Sequence, residues 1–308
     1  NILFILISYF ILKIRSIILL PIPPRYMWGW GPGLSGYCGE MSTQSIGLYY
    51  GNYYSEEQVR YAGGNKEVLI DVNLHKACDK LKLTYIRWDN TNEKNPQGQN
   101  FLEWSQNFIE KNIPVIGGFY LQEKNGDRDY DHIMPIIGFE TTNSKLSAIY
   151  HNDLYLNSSR ILKVPSDIKT RSECSQNAPI EQPYTYCQPK TVAYGIAITG
   201  NVDINSETYP IQLDVGSWNE PDWGAEDNLN EEPILFSGLL SISNLTPLRS
   251  YSVLRYDSIN ALPSQNFFHA NTHSYRYDFT PESTTFQLID SHPFYSNSTI
   301  FYRCVVTR

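Results

Sequence analysis

The chain opens on an almost unbroken apolar stretch from Asn1 to Leu20, interrupted by Lys13 and Arg15, and Pro21-Ile22-Pro23-Pro24 follows as a stiff spacer that cannot continue a helix. The apolar core from Ile2 to Leu12 has the length of a signal-peptide hydrophobic region and is too short to span a bilayer alone. Residues 1–24 are therefore expected to be a signal or anchor segment and spacer. Entry into the secretory pathway follows, with the protein secreted or membrane-anchored with extracytoplasmic domains, and with residues 1–20 as a possible membrane tether. Folded structure is expected to begin near Arg25.

Beyond a loop holding four glycines and a proline between Gly29 and Gly36, the pattern turns helical. Gly39, Ser42 and Ser45 recur at three-residue spacing, with Met41, Leu48 and Tyr49 on an apolar side, so a tightly packed helix is predicted from Cys38 to Tyr50. A second helix should start at Ser55, where Ser55 and Gln58 are spaced as a capping box. A third is predicted over Lys66–Lys80 and a fourth over Phe101–Lys111, with Phe101, Trp104 and Phe108 forming one buried stripe. Short β-branched runs then take over, at 113–121, 132–140, 146–153 and 192–199. Helices followed by antiparallel strands predict an α+β domain over residues 25–203. After Gly200 the helical period is gone, and short apolar runs at 234–242, 250–256, 285–289 and 299–306 predict an all-β sandwich domain over 204–308. Leu245-Thr246-Pro247 leading into Tyr251-Ser252-Val253 resembles a fibronectin type III-like module.

Composition narrows the possible partners. A net charge of -8, with no basic run beyond scattered pairs, argues against nucleic acid. The 23 Tyr against 13 Phe favour strand-rich structure. Sequons at Asn157, Asn244 and Asn297 fit a secretory route and mark possible N-glycosylation. Of five cysteines, Cys174 and Cys187 flank a polar loop and are expected to form a disulfide. Cys78 and Cys304 could be paired or simply buried, which leaves Cys38 as the odd thiol. His75, His269, His273 and His292 show no metal-ligand spacing, so no metal or other cofactor is expected. The acidic run 222–232 is read as a solvated loop, and Trp28, Trp30, Trp218 and Trp223 as core plugs ahead of a binding groove.

Cys38 is the residue around which chemistry can be built. A helix N-terminus favours a thiolate and offers free N–H groups to a developing oxyanion. His132 opens an apolar strand and can supply the base, with Asp153, or alternatively Asn152, ending the next strand as the orienting group. His151 is a competing imidazole. Tyr37-Cys38-Gly39-Glu40 opening a helix, Asp131-His132-Ile133-Met134-Pro135-Ile136-Ile137-Gly138-Phe139 and Asn152-Asp153 together resemble the bacteriocin-processing, double-glycine-peptidase-like (C-thirty-nine-like) branch of the papain-like cysteine peptidase superfamily. The resemblance spans residues 25–200. It implies a papain-like α+β domain in which Cys38 is nucleophile, His132 general base and acid, and Asp153 the orienting carboxylate. The implied activity is thioester-mediated hydrolysis of peptide or amide bonds in a peptide or protein substrate. Two departures stand out: the stretch from Gly31 to Tyr37 holds no Gln to complete the oxyanion hole, and Leu154 stands where the family often has Pro. The alternatives are a non-catalytic papain-fold binding or surface protein and a transamidase or acyltransferase using the same thioester.

Overall fold

The computed structural model describes residues 15–25, 36–89, 97–123, 130–153, 160–174, 184–192, 194–215 and 235–307. The first half runs β1 (Arg15–Leu19), α1 (Cys38–Tyr49), β2 (Asn52–Tyr54), α2 (Glu56–Ala62), α3 (Leu74–Lys80), β3 (Leu83–Asp89), α4 (Gly98–Ile109), β4 (Val115–Glu123), β5 (Tyr130–Thr142), β6 (Lys145–Asp153), β7 (Arg160–Pro165), β8 (Ile168–Lys169), α5 (Arg171–Cys174), β9 (Tyr184–Pro189) and β10 (Tyr194–Asn201). Then come β11 (Thr208–Tyr209), β12 (Ile211–Asp214), β13 (Leu235–Phe236), β14 (Leu239–Ile242), β15 (Tyr251–Tyr256), α6 (Phe267–Ala270), β16 (Tyr275–Phe279), β17 (Phe286–Ile289), β18 (Phe294–Tyr295) and β19 (Thr299–Val306). The class is α+β, rich in antiparallel sheet.

The large sheet has the order β3-β10-β4-β5-β6-β7. One edge of the long strand β5 is shared: β4 pairs with it from Tyr130 to Ile136, and β1 from Gly138 to Thr142. On the other edge β6 joins at Ile136 and continues to the end of the strand. Each face of the sheet has its own core. Helices α1, α2 and α3 cover Ile116, Ile133, Ile196 and Ile198, whereas α4 covers Val115, Met134, Ile136 and Ala197. This split follows from strand alternation, which sends neighbouring residues to opposite faces. Gly195 lets α4 lie close, since a Cβ there would stand 2.4 Å from the Phe101 ring.

Several sequence expectations change. The fold begins before residue 25: Arg15–Leu19 is a strand of the large sheet, Leu20 and Ile22 are buried in its second core, and Arg15 bonds Glu140 at 2.6 Å. A β-branched run ending a leader and one forming a strand look alike in sequence, and the carboxylate opposite Arg15 is 125 residues away. The third helix is confined to Leu74–Lys80. Upstream of it, the Asn73 side chain accepts from Leu69 N and donates to the carbonyls of Gly63 and Glu67, holding 67–73 in turns. The fourth helix starts earlier, at Gly98, and its deepest face is Phe101, Leu102, Ser105 and Ile109, with Trp104 stacked on Phe101 and Phe108 edge-on to Trp104 along its flank. The Ser55–Gln58 capping box is present, with both reciprocal bonds made.

The C-terminal part holds a sheet β11-β19-β15-β16 and a sheet β12-β14-β17. Leu213, Leu240 and Ile242 of one and Tyr251, Val253, Ile300 and Tyr302 of the other form a common core. Strand β2, which lies between α1 and α2, pairs antiparallel with β19 in register Thr299↔Tyr54 and Phe301↔Asn52. The two halves therefore interlock through the chain between the first two helices.

Candidate functional site

Helix α1 sets the position of Cys38. Its first turn presses on the 67–69 segment so closely that a Cβ at Gly39 would lie 2.0 Å from the Val68 carbonyl oxygen, which only glycine avoids. Within the helix Ser42 Oγ donates to the Cys38 carbonyl at 2.6 Å and reaches the Ile133 carbonyl of β5 at 3.3 Å. The helix start is thus moored to the stretch of β5 that precedes its pairing with β6. Cys38 is 9% exposed and packs in the same core as Ile133 of β5, with the main chain of Ile133 beside its thiol. Burial pushes the thiol up to about 12, the Ile133 N–H opposes that rise, and the Glu40 charge adds to it. Gln44, the nearest glutamine along α1, is committed elsewhere: its Nε2 donates to the Tyr54 carbonyl at 3.0 Å.

His132 is fully buried on β5, one residue before the point where the thiol meets the strand. Its register partner is Phe119, and its ring centroid is 6.0 Å from that of Tyr186, both members of the second core. Cys38 and Ile133 belong to the first. The thiol therefore meets β5 at residue 133, while the imidazole of His132 is turned toward the opposite face. His151 lies on that face too, edge-on to Phe119 at 4.3 Å, with its Nδ1 3.3 Å from the Pro135 carbonyl. Burial lowers both imidazoles to about 3, so both are neutral at pH 7, and mutual repulsion with His132 adds to the lowering of His151. Asn152 and Asp153 end β6, their backbones paired with Ile161 and Arg160, and their side chains lie outside the described residues.

Sequence reasoning missed a cluster around the start of α1. Glu40, wholly buried, accepts from Arg60 Nε at 2.7 Å and from Val68 N at 3.1 Å, and its other carboxylate oxygen has no hydrogen-bond partner. Arg60 also donates to the Gly36 carbonyl at 3.0 Å, and its guanidinium lies 3.4 Å from the centre of the Tyr37 ring. The motif Tyr37-Cys38-Gly39-Glu40 displayed the acid, but nothing in the sequence ties it to an arginine 20 residues later. A second missed cluster centres on Asp290, which accepts from Tyr277, Tyr302, Arg255 and the main chain of His292.

Cys174 and Cys187 form the expected disulfide, and Cys78 and Cys304 are both free and buried, in different cores. Asn244 and Asn297 are exposed; Asn157 lies outside the described residues. So do Trp28, Trp30, Trp218, Trp223, the acidic run 222–232 and the apolar residues 1–14. Among the described residues, no group of three or more His, Cys, Asp or Glu could hold a metal ion, and no helix is long and apolar enough to cross a membrane. No protein-family model, curated protein or solved structure matches the chain.

Proposed function

We propose that the chain is a papain-like thiol hydrolase of the secretory pathway, acting on peptide or amide bonds through a thioester at Cys38. The observation that carries the reading is the docking of the α1 N-terminus on β5, with Ser42 at the Ile133 carbonyl and Cys38 in the same core as Ile133, the strand neighbour of His132. In this reading Cys38 attacks the substrate carbonyl and His132 takes the thiol proton and returns it to the leaving amine. Asp153, or Asn152, orients the imidazole, and water then releases the acyl group. The first-turn N–H groups of α1 stand in for the absent glutamine as oxyanion donors. For the proton to pass, the His132 ring must swing from the Tyr186 side toward α1, along the edge of β5 that β6 does not yet cover. The buried, neutral thiol and imidazole are the ground form that substrate must convert to an ion pair. The C-terminal region, a fibronectin-like sandwich in this reading, recruits or places substrate.

A second reading, a papain-fold binding or surface protein without catalysis, is favoured by the same burial, which opposes thiolate formation at neutral pH. Incubation with an electrophilic peptidyl inhibitor, followed by mass spectrometry, separates the two. A mass increment at Cys38, lost in both Cys38→Ala and His132→Ala, is the result expected of the hydrolase. A wild-type protein left unlabelled, or labelled equally well without His132, leaves the binding reading standing. Competition by an added amine for the acyl group would redirect the proposal toward acyl transfer.

A further inference from the structure

We infer that Arg60 and Glu40 are the positioning pair of the Cys38 site, fixing both the backbone that leads into the nucleophile and the charge beside it; the functional weight of this pair rests on the reading of Cys38 proposed above. Three contacts converge on the residues around Cys38. Arg60 holds the Gly36 carbonyl at 3.0 Å and covers the Tyr37 ring at 3.4 Å, so the two residues preceding Cys38 are bound to α2. Glu40 anchors Arg60 at 2.7 Å from inside the first turn of α1 and also takes the Val68 N–H at 3.1 Å. Because the helix is further pinned at Gly39, where a Cβ would collide with the Val68 carbonyl, the start of α1 has little room to tilt.

The negative member of the pair also acts on the thiol directly. Burial raises Glu40, and the Arg60 guanidinium pulls it back toward the carboxylate. The Glu40 charge in turn disfavours a thiolate at Cys38. The other titratable groups bordering this corner are His132 on β5, Cys78 in the same core, and Tyr37 with Glu56 and Glu57 at the start of α2. Removing the negative member should therefore ease ionisation of Cys38, and removing the positive member should ease it too, because a Glu40 left buried without Arg60 goes neutral. A device that merely keeps the helix in place behaves differently: it depends on the contacts of the guanidinium with Gly36 and Tyr37, so Arg60→Lys, which keeps the charge, would free the thiol as fully as Arg60→Met.

The test measures the rate of Cys38 alkylation by iodoacetamide in the full chain at pH 8.5, read by peptide mass spectrometry so that Cys78 and Cys304 do not interfere, with the thermal midpoint in parallel. Glu40→Gln and Arg60→Met are each expected to react about tenfold faster than the wild type, as a one-unit fall of the thiol requires. Arg60→Lys, which keeps the charge, should stay within about threefold. If Arg60→Met does not fold, Glu40→Gln and Arg60→Lys decide the matter alone. Equal rates in Glu40→Gln and wild type, or an acceleration by Arg60→Lys equal to that of Arg60→Met, would overturn the inference. This readout needs no substrate, so a protein that ignores peptidyl electrophiles yet shows fast Glu40→Gln and Arg60→Met beside a near-wild-type Arg60→Lys would sink the hydrolase and keep the positioning pair.

Discussion

Lowering the pH from 7 to 5 should cost this protein several kcal/mol, and the source is two imidazoles that the fold keeps neutral. His132 and His151 both lie wholly inside the second core, and burial lowers each to about 3. An unfolded chain protonates the same groups near pH 6.5. The sign follows from which state binds more protons. Below pH 6.5 the unfolded chain takes up protons that the folded one refuses, so stability falls as pH falls and the loss ends only near pH 3. Between pH 7 and 5 each imidazole accounts for about 2 kcal/mol, and the pair for about 4 kcal/mol, against a total of about 5–15 kcal/mol for a typical domain. Glu40 and Glu57, both raised by burial, act against this trend, whereas Glu140, lowered to about 2 by Arg15, Lys163 and Tyr150, contributes below the window. A His151→Phe variant separates the terms, because it keeps a ring against Phe119 and removes one titration. Urea unfolding at half-unit steps from pH 7 to 5, at constant ionic strength, should show the wild type losing about twice as much as the variant. A wild-type free energy that stays level over this range, or an equally steep loss in His151→Phe, would refute the placement of these rings.

At high pH the buried thiols should behave as the mirror image: Cys38 and Cys304, each raised to about 12 chiefly by burial, stay protonated in the fold while unfolded thiols ionise near 8.5, costing about 2–3 kcal/mol each by pH 10.5. A urea midpoint that does not fall between pH 8 and 10.5 would contradict that burial. Gly39→Ala forces α1 off the Val68 carbonyl and should lower stability by about 1–3 kcal/mol while altering Cys38 alkylation; an unchanged thermal midpoint would argue against the close approach. Asp290→Ala removes the buried acceptor shared by Arg255, Tyr277 and Tyr302, leaving Arg255 to Asp257 and Tyr277 to His292, and should cost about 3–5 kcal/mol in denaturant unfolding, so a near-neutral result would mean the carboxylate is not the hub of that cluster.

What the sequence made legible was local. The Ser55–Gln58 box needs only four consecutive residues to be recognised, and β15 and β19 announced themselves as short β-branched runs between turn residues. Cys38 at the head of α1 could be placed for the same reason, since the glycine-rich loop and the small-residue spacing are adjacent in the chain. The failures were long-range. Arg15 was one of two charges interrupting an apolar leader, because Glu140, Tyr150 and Lys163, which make it part of a sheet, are far away in sequence. Asn73 looked like one more position in a helix until its side chain was seen bonding three separate backbone groups. The facing of His132 was beyond reach for a subtler reason. Alternation says that His132 and Ile133 point apart, but only the packing of α1 on one face says which of the two meets Cys38.

Strand β2 alters how the C-terminal region should be understood. A domain appended to an enzyme can be thought of as a module on a tether, free to move while the catalytic helix stays put. Here the chain leaves α1, enters the C-terminal sheet as Asn52–Tyr54, and returns to α2 within a few residues. Tyr53 faces the core between the two C-terminal sheets, and Tyr54 faces the helical core, its hydroxyl donating to the Thr43 carbonyl of α1 at 3.2 Å. Arg303 of β19, 1% exposed, donates to the Asn52 side chain at 2.8 Å across the same junction. Separating the halves would strip β2 from β19 and uncover both tyrosines, at about 1.5–3 kcal/mol for each large side chain, besides leaving a buried guanidinium with one fewer acceptor. Helix α1 is therefore fixed at its N-terminal end by Glu40, Arg60 and Ser42 and at its C-terminal end by the strand it runs into. If the proposed hydrolase is right, the rearrangement that brings the His132 imidazole to the Cys38 thiol must accordingly come from β5 or its side chains, because α1 is the member held at both ends.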